Sequence, residues 1–364
     1  MSATPQSTRR EFLQGQAAVE AVAAVVDASG AAAGDLQTCG PDPYLLRLSR
    51  RAMACTFEIF LNAGQYPQGA EAAVAALDLV DWLEDQLSIF REHSQISQLN
   101  RRAADEPVVV EPELLALVEM ALQIHRDTEG AYDVTSGLLS NVWGFTRRNG
   151  TIPPDEALAE ARACVGSQFV EIDRATRSVR FSKPGIEINL GSIGKGYALD
   201  RCAELLAAEG IHDFLLHGGH SSVLARGAAG SLEVEQGWSV GVCNPLRPDR
   251  RIGHLRLKDR ALATSGSGTQ FFEHEGRRYG HILDPRSGWP AEGVLSASVL
   301  APTAAQADAL STAFYVMGAQ GAKDYCRQHP EIAAVVLCPG SRAGGIEKHL
   351  IGLDDRDWTD VERT

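Results

Sequence analysis

The sequence predicts an α+β or mixed α/β fold, and three observations lead to it. Short β-branched and aromatic runs such as "CTFEIFLN" (55–62), "DFLLHGG" and "IAAVVLC" recur along the chain and read as strands. Stretches with apolar residues every three or four positions, such as Gln68 to Leu87, lie among them and read as helices. The two kinds alternate without a regular strand–helix–strand period, and no internal repeat occurs at solenoid spacing. A chain of 364 residues can bury a large core, in one big domain or in two subdomains.

Residues 1–43 read as leader and linker. "STRREFLQG" (Ser7 to Gly15) has Arg9 and Arg10 followed by Phe12 and Leu13, the pattern of a twin-arginine export signal. Ala31-Ala32-Ala33 offers a small-residue cleavage site. Glu20 and Asp27 interrupt the apolar region, leaving Ala21 to Val26 uncharged, so a plain leader of a cytoplasmic protein is the alternative to periplasmic export. No stretch reaches the length of a transmembrane helix.

The body, 44–350, opens with the strand at 55–62 and the helix from Gln68 to Leu87. A polar turn, "FREHSQISQLN", follows; a helix near 112–126 then leads to "GAYDVTSGLLSNVWGF" (130–145). "FVEID" and "SVRFS" flank Ala175-Thr176 as a hairpin. A strand at 186–190 and a helix at 195–209 bracket a glycine turn. "DFLLHGG", "SSVLARG", "WSVGVCN", "IGHLRLK" and "ALATSGSG" supply further strands. After "HILDPRSGWP" come the strand "LSASVLAP", helices at 304–317 and 319–328, and "IAAVVLC". Residues 351–364 read as a C-terminal tail.

Composition narrows the function. Hydrophobic content of 44% with 22% charge describes an ordinary globular chain, and the net charge of −13 argues against a nucleic-acid surface. The seven cysteines are scattered and contain no CxxC pair, which excludes a zinc ribbon and speaks against a disulfide framework.

Four stretches carry chemistry. "GSIGKGYALD" (191–200) places glycines and Lys195 at a helix start, where free amides and a cation can meet an anion. It is not a P-loop: only Ser192 and Ile193 separate Gly191 from Gly194, and Gly196 follows the lysine. In "HILDPRSGWP" (281–290), His281 precedes a turn and is either a structural histidine or a general base titrating near neutrality. In "AQADALSTAFYVMG" (305–318), Asp308 and Thr312 stand one helical turn apart, either as a helix-end charge and a surface hydroxyl or as hard oxygen ligands for Mg²⁺. In "GAYDVTSG" (130–137), Asp133 and Thr135 are suited to capping the following helix, and Tyr132 to lining a ring-shaped ligand.

Together with "MACTFEIF" (53–60), "SIFREHSQISQLN" (88–100) and "LATSGSG" (262–268), these stretches, in this order, resemble the FAD:protein FMN transferases of the ApbE type, over roughly residues 50–340. The resemblance implies two mixed α/β subdomains with a flavin-binding cleft between them. It also implies Mg²⁺-dependent transfer of FMN from FAD to a Thr or Ser hydroxyl of an acceptor protein, with release of AMP. By the same resemblance, Asp308, Thr312 and the backbone at Ser192 hold the metal, His281 is the base, and Ile282 lies beside the flavin. Met53, Phe90, Ala131, Tyr132 and Asp133 enclose the isoalloxazine and ribityl parts. Lys195 lies close to the cofactor, and Asn189 stands where the family usually has an aspartate.

Overall fold

The computed structural model describes residues 44–361, apart from 231–236, 269 and 343; the arginine pair and the cleavage site lie outside the described residues. The chain from residue 44 onward packs as a compact unit. Strands β1 (Leu45–Ala52) and β2 (Cys55–Asn62) form a hairpin. Helix α1 (Gly69–Leu87) follows, burying Ala72, Ala73, Ala76, Leu77, Val80 and Leu83, the helical spacing seen in the sequence. The expected polar turn holds a helix instead, α2 (Gln95–Arg102), started by Ser94, whose side chain accepts from the Ser97 amide. Its two apolar anchors, Ile96 and Leu99, are fully buried.

A short strand β3 (Val108–Val109) precedes α3 (Pro112–Asp127), which begins with proline at its first position, where the missing N–H costs nothing. Helices α4 (Gly137–Val142) and α5 (Asp155–Ala163) come next. The expected hairpin forms as β4 (Val170–Asp173) and β5 (Ser178–Phe181); its turn is fixed by Asp173, which accepts from the Ala175 amide at 2.8 Å.

The predicted strand at 186–190 is not a ladder strand. Its backbone pairs with the Asn100 side chain in both directions at Ile188 and with the Val134 carbonyl at Asn189, then tightens into a 3₁₀ turn at Leu190–Ser192. Period-two apolar spacing correctly gives extended backbone here but names no partner strand. Helix α6 (Gly194–Ala208) leads to β6 (Phe214–Gly218) and β7 (Ser222–Arg226). Strands β8 (Trp238–Asn244) and β9 (Arg247–Leu257) pair with each other, and β10 (Ala261–Gly266) precedes the hairpin β11 (Phe271–His274) and β12 (Arg277–Gly280).

After β13 (Ser296–Ala301) comes α7 (Ala304–Gln328), broken at Gly318, whose φ of 75° and ψ of 178° make it the two helices expected at 304–317 and 319–328. Strands β14 (Ala333–Pro339), β15 (Ile346–Ile351) and β16 (Trp358–Asp360) complete the chain. The segment read as a tail therefore carries a strand, and β16 pairs with β9.

The main sheet has eight strands in the order β1-β2-β6-β7-β10-β13-β14-β15. Its neighbours are all antiparallel. All six residues of β13 are buried, so both faces of the sheet centre are covered. Helices α6 and α7 lie against each other, α7 on β10 and β13, α6 on β6 and β7. Ala309, Leu310, Ala313 and Phe314 of α7 are wholly buried, Phe314 alone contributing about 2–3 kcal/mol. A smaller apolar cluster joins Trp143, Phe145, Leu158 and Tyr279 across α4, α5 and the β11–β12 hairpin.

Candidate active site

A cavity of about 370 Å³ lies where α6 and α7 begin, against the end of β10. Close approach of the two helix starts depends on Gly196: a Cβ there would sit 2.0 Å from the Ala304 carbonyl oxygen. The Gly196 amide donates to Asp308 Oδ2 at 2.7 Å, and Ser222 Oγ donates to Asp308 Oδ1 at 2.6 Å. Asp308 is 5% exposed, and these donors, with Lys195 Nζ 4.0 Å from Oδ2, compensate a charge that would otherwise be costly to bury. Thr312 Oγ1 stands 3.2 Å from Ser265 Oγ, which in turn stands 2.8 Å from Ser311 Oγ.

These groups form a hard, all-oxygen donor set. Among the described residues no cluster of three or more His, Cys, Asp or Glu side chains is placed to hold a metal. A single carboxylate with hydroxyls suits Mg²⁺, which is commonly bound by one or two carboxylates and completed by substrate phosphates and water. It does not suit a closed zinc or calcium cage.

His281 follows β12 and borders the same cavity. Its backbone amide and its ring Nδ1 both meet the Gln270 carbonyl oxygen, at 3.2 and 3.1 Å. A carbonyl only accepts, so Nδ1 carries the proton and Nε2 keeps its lone pair. Burial lowers the His281 pKa, the Gln270 contact opposes this, and the Lys195 charge adds to the lowering. The ring is therefore uncharged at neutral pH, the state a general base requires.

Ala131, Tyr132 and Asp133 form one wall. Asp133 does not cap the following helix: its carboxylate accepts from the amide and hydroxyl of Thr135 and from those of Ser167. His125 Nδ1 lies 3.1 Å from Asp133 Oδ2 and 3.0 Å from the Tyr132 carbonyl oxygen. Burial raises the Asp133 pKa, but the bonds from His125 and Thr135 outweigh it and hold it below the usual carboxylate range. The bond to Asp133 raises His125. Tyr132 is 1% exposed, and its hydroxyl accepts from Ser192 Oγ at 3.4 Å.

Asn189, Ser192, Lys195, Ile282 and Thr312 also border the cavity. Asn189 Oδ1 accepts from the Gly191 amide at 2.9 Å, fixing the turn before α6. Two predicted residues stand off the wall. Met53 occupies the β1–β2 turn with φ of 49°, and Phe90 is 77% exposed beyond α1, where Ser94 and Ser97 both donate to the Ser88 carbonyl. The sequence reading missed Ser136, Ser140, Ser221, Thr264, Ser265 and Ser311, which supply most of the hydroxyl lining. It also missed His125. The hydroxyls lie within stretches such as "GAYDVTSG", "AQADALSTAFYVMG" and "LATSGSG", but nothing in their local spacing assigns them a role.

A mixed α/β protein that sets a carboxylate, a lysine and an uncharged imidazole around two helix starts is, by class, an enzyme. The chain belongs to the ApbE family, whose model matches residues 53–336. It is similar to the FAD:protein FMN transferase of Vibrio cholerae, 33% identical over 291 residues, covering 78% of this chain and 84% of the relative. That of Treponema pallidum is 31% identical over 307 residues, covering 79% and 84%. Among solved structures, the ApbE protein of Thermotoga maritima aligns with a TM-score of 0.74 at 31% identity, covering 84% of this chain and 97% of that one. The flavin transferase ApbE of Vibrio cholerae aligns with a TM-score of 0.73 at 27% identity, covering 85% and 97%.

Proposed function

We propose that this protein is an FAD:protein FMN transferase, moving FMN from FAD to a Thr or Ser hydroxyl of an acceptor protein. The observation that carries the reading is the gathering of His281, Lys195 and Asp308 on one cavity in a chain whose relatives are named for that activity. In the proposed reaction the acceptor oxygen forms a bond to the FMN phosphorus, and the phosphoanhydride bond to AMP breaks. His281 Nε2 takes the hydroxyl proton and later yields it to water. AMP leaves with the electron pair of the broken bond.

Lys195 and the amides at the start of α6 offer positive potential to the pyrophosphate. Asp308, Thr312 and the backbone at Ser192 would hold Mg²⁺, which neutralises phosphate charge when bound. Ala131, Tyr132, Asp133 and Ile282 would flank the flavin, with Asn189 at its margin; Met53 and Phe90 would reach it only if their turns move inward. Phosphoryl transfer asks mainly for positioning and charge neutralisation, and the cavity offers both.

Incubation of the protein with FAD, Mg²⁺ and a candidate acceptor, followed by weighing the acceptor, tests the reading. A mass gain equal to FMN supports it. Soluble AMP without that gain means FAD hydrolysis, and unchanged FAD means a flavin carrier; either overturns it.

A further inference from the structure

We propose that Gln270 is the positioning residue that makes His281 a base, by holding its ring in the tautomer with a bare Nε2. Gln270 lies just before β11, where its neighbour Phe271 pairs with Gly280, the residue before His281. Its carbonyl oxygen receives both the backbone amide and ring Nδ1 of His281. Its side-chain Nε2 donates to the Phe145 carbonyl at 2.7 Å. Phe145 is a rigid anchor, 5% exposed and 5.7 Å from the Phe272 ring, and its own ring meets His281 edge-on at 6.4 Å. The carbonyl that selects the tautomer is thus fixed from two sides, by strand pairing and by its own side chain.

An unconstrained neutral histidine side chain in water prefers to carry its proton on Nε2, and in that form Nε2 cannot accept one. Among the described residues His281 Nε2 has no protein hydrogen-bond partner, so nothing else selects the bare form. Releasing Gln270 from Phe145 should let the 270 carbonyl drift and the ring exchange tautomers. The loss would fall on proton transfer, with FAD binding left alone.

This inference rests on the proposed function for its kinetic consequence but not for its structural one. The full chain carrying ¹⁵N-histidine, with His281→Asn to assign the signal, reports the tautomer by NMR without any substrate. Wild type should show protonated Nδ1 and bare Nε2. Gln270→Met, similar in length but without the donor, should show mixed tautomers. Its kcat for FMN transfer should fall about tenfold or more, with KM for FAD nearly unchanged. Gln270→Glu, with a carboxylate set against the Phe145 carbonyl, should do the same and serves if the first variant does not fold.

A wild-type ring protonated on Nε2 overturns the proposal. So does a variant that loses activity with the tautomer unchanged, or one that keeps both. If wild type transfers no FMN, the proposed function fails while the spectra still decide the role of Gln270.

Discussion

Asp200 of α6 and Asp308 of α7 secure each other's helices. Asp200 accepts from the Ala304 and Ala305 amides at 2.7 and 2.9 Å, capping the start of α7, while Asp308 accepts from the Gly196 amide near the start of α6. Each carboxylate satisfies amides that a helix start leaves without partners. The exchange holds Asp308 at the cavity.

Cutting either side of this exchange should loosen both helices. Asp200→Ala is expected to cost about 1–2 kcal/mol, the usual value of a lost N-cap, measured by urea unfolding. Gly196→Ala should cost more, roughly 2–3 kcal/mol or a failure to fold, because its methyl would overlap the Ala304 carbonyl and overpacking is relieved only by moving backbone. Midpoints equal to wild type would show that the helices are held by apolar packing alone.

His281→Ala should slow transfer by about 10²–10⁴, with little change in FAD affinity. Burial sets the His281 pKa below the usual histidine range, so its base form is lost only as pH falls through that lowered value. The wild-type rate should therefore be flat above neutrality and decline on the acid side, and the variant should lack that decline. His220, exposed on the loop after β6, provides the control. An acid limb that survives in His281→Ala and vanishes in His220→Ala would reassign the base.

Asp308→Ala should abolish Mg²⁺-dependent turnover and leave part of the FAD affinity, since the wall at 131–133 proposed to flank the flavin is untouched. Thr312→Val removes one neutral oxygen and should cost less. Near-normal activity in Asp308→Ala, assayed across a Mg²⁺ titration, would reduce this residue to the structural tie described above.

The pair His125–Asp133 gives a pH-dependent contribution to stability. Asp133 is lowered, so its share is present above the ordinary carboxylate range and disappears in acid; His125 is raised, so its share is complete below the ordinary histidine range and disappears as pH climbs through the raised value. His125→Ala should cost roughly 1–3 kcal/mol near pH 6 and less near pH 9. Thermal unfolding at the two pH values checks this; equal losses would mean that the ring acts by packing.

We propose export through the arginine pair at 9 and 10. Replacing both with lysine should retain the protein in the cytoplasm, and cell fractionation reads the outcome. An unchanged distribution refutes it.

Much of this was legible in the residues. The two helices expected at 304–317 and 319–328 meet at the Gly318 break, and the bounds of α1, α3 and α6 fall within a residue or two of the expected ones. What escaped was whatever depends on partners distant in sequence. "PGIEINL" looks like a strand, but its partners are a side chain on α2 and a carbonyl at 134. Asp133 looks like a cap because its best local donor is two residues away, whereas Ser167, 34 residues on, shares the same carboxylate. Helix α2 hid in a polar run with only two apolar residues, and serines are too common for the cavity's hydroxyl lining to stand out.

Strand β16 sets a limit on engineering. Trp358 is nearly buried, and its ring occupies the space where a side chain at Gly253 would stand, so the strand works as a latch for β9. A protein trimmed after residue 351 would present β9 with an open hydrogen-bonding edge and a groove emptied of its indole, the usual starting point for strand-to-strand association. Reporter fusions or affinity handles should therefore be joined beyond Asp360, and a shortened version that aggregates should not be taken for one that has lost its catalytic cavity.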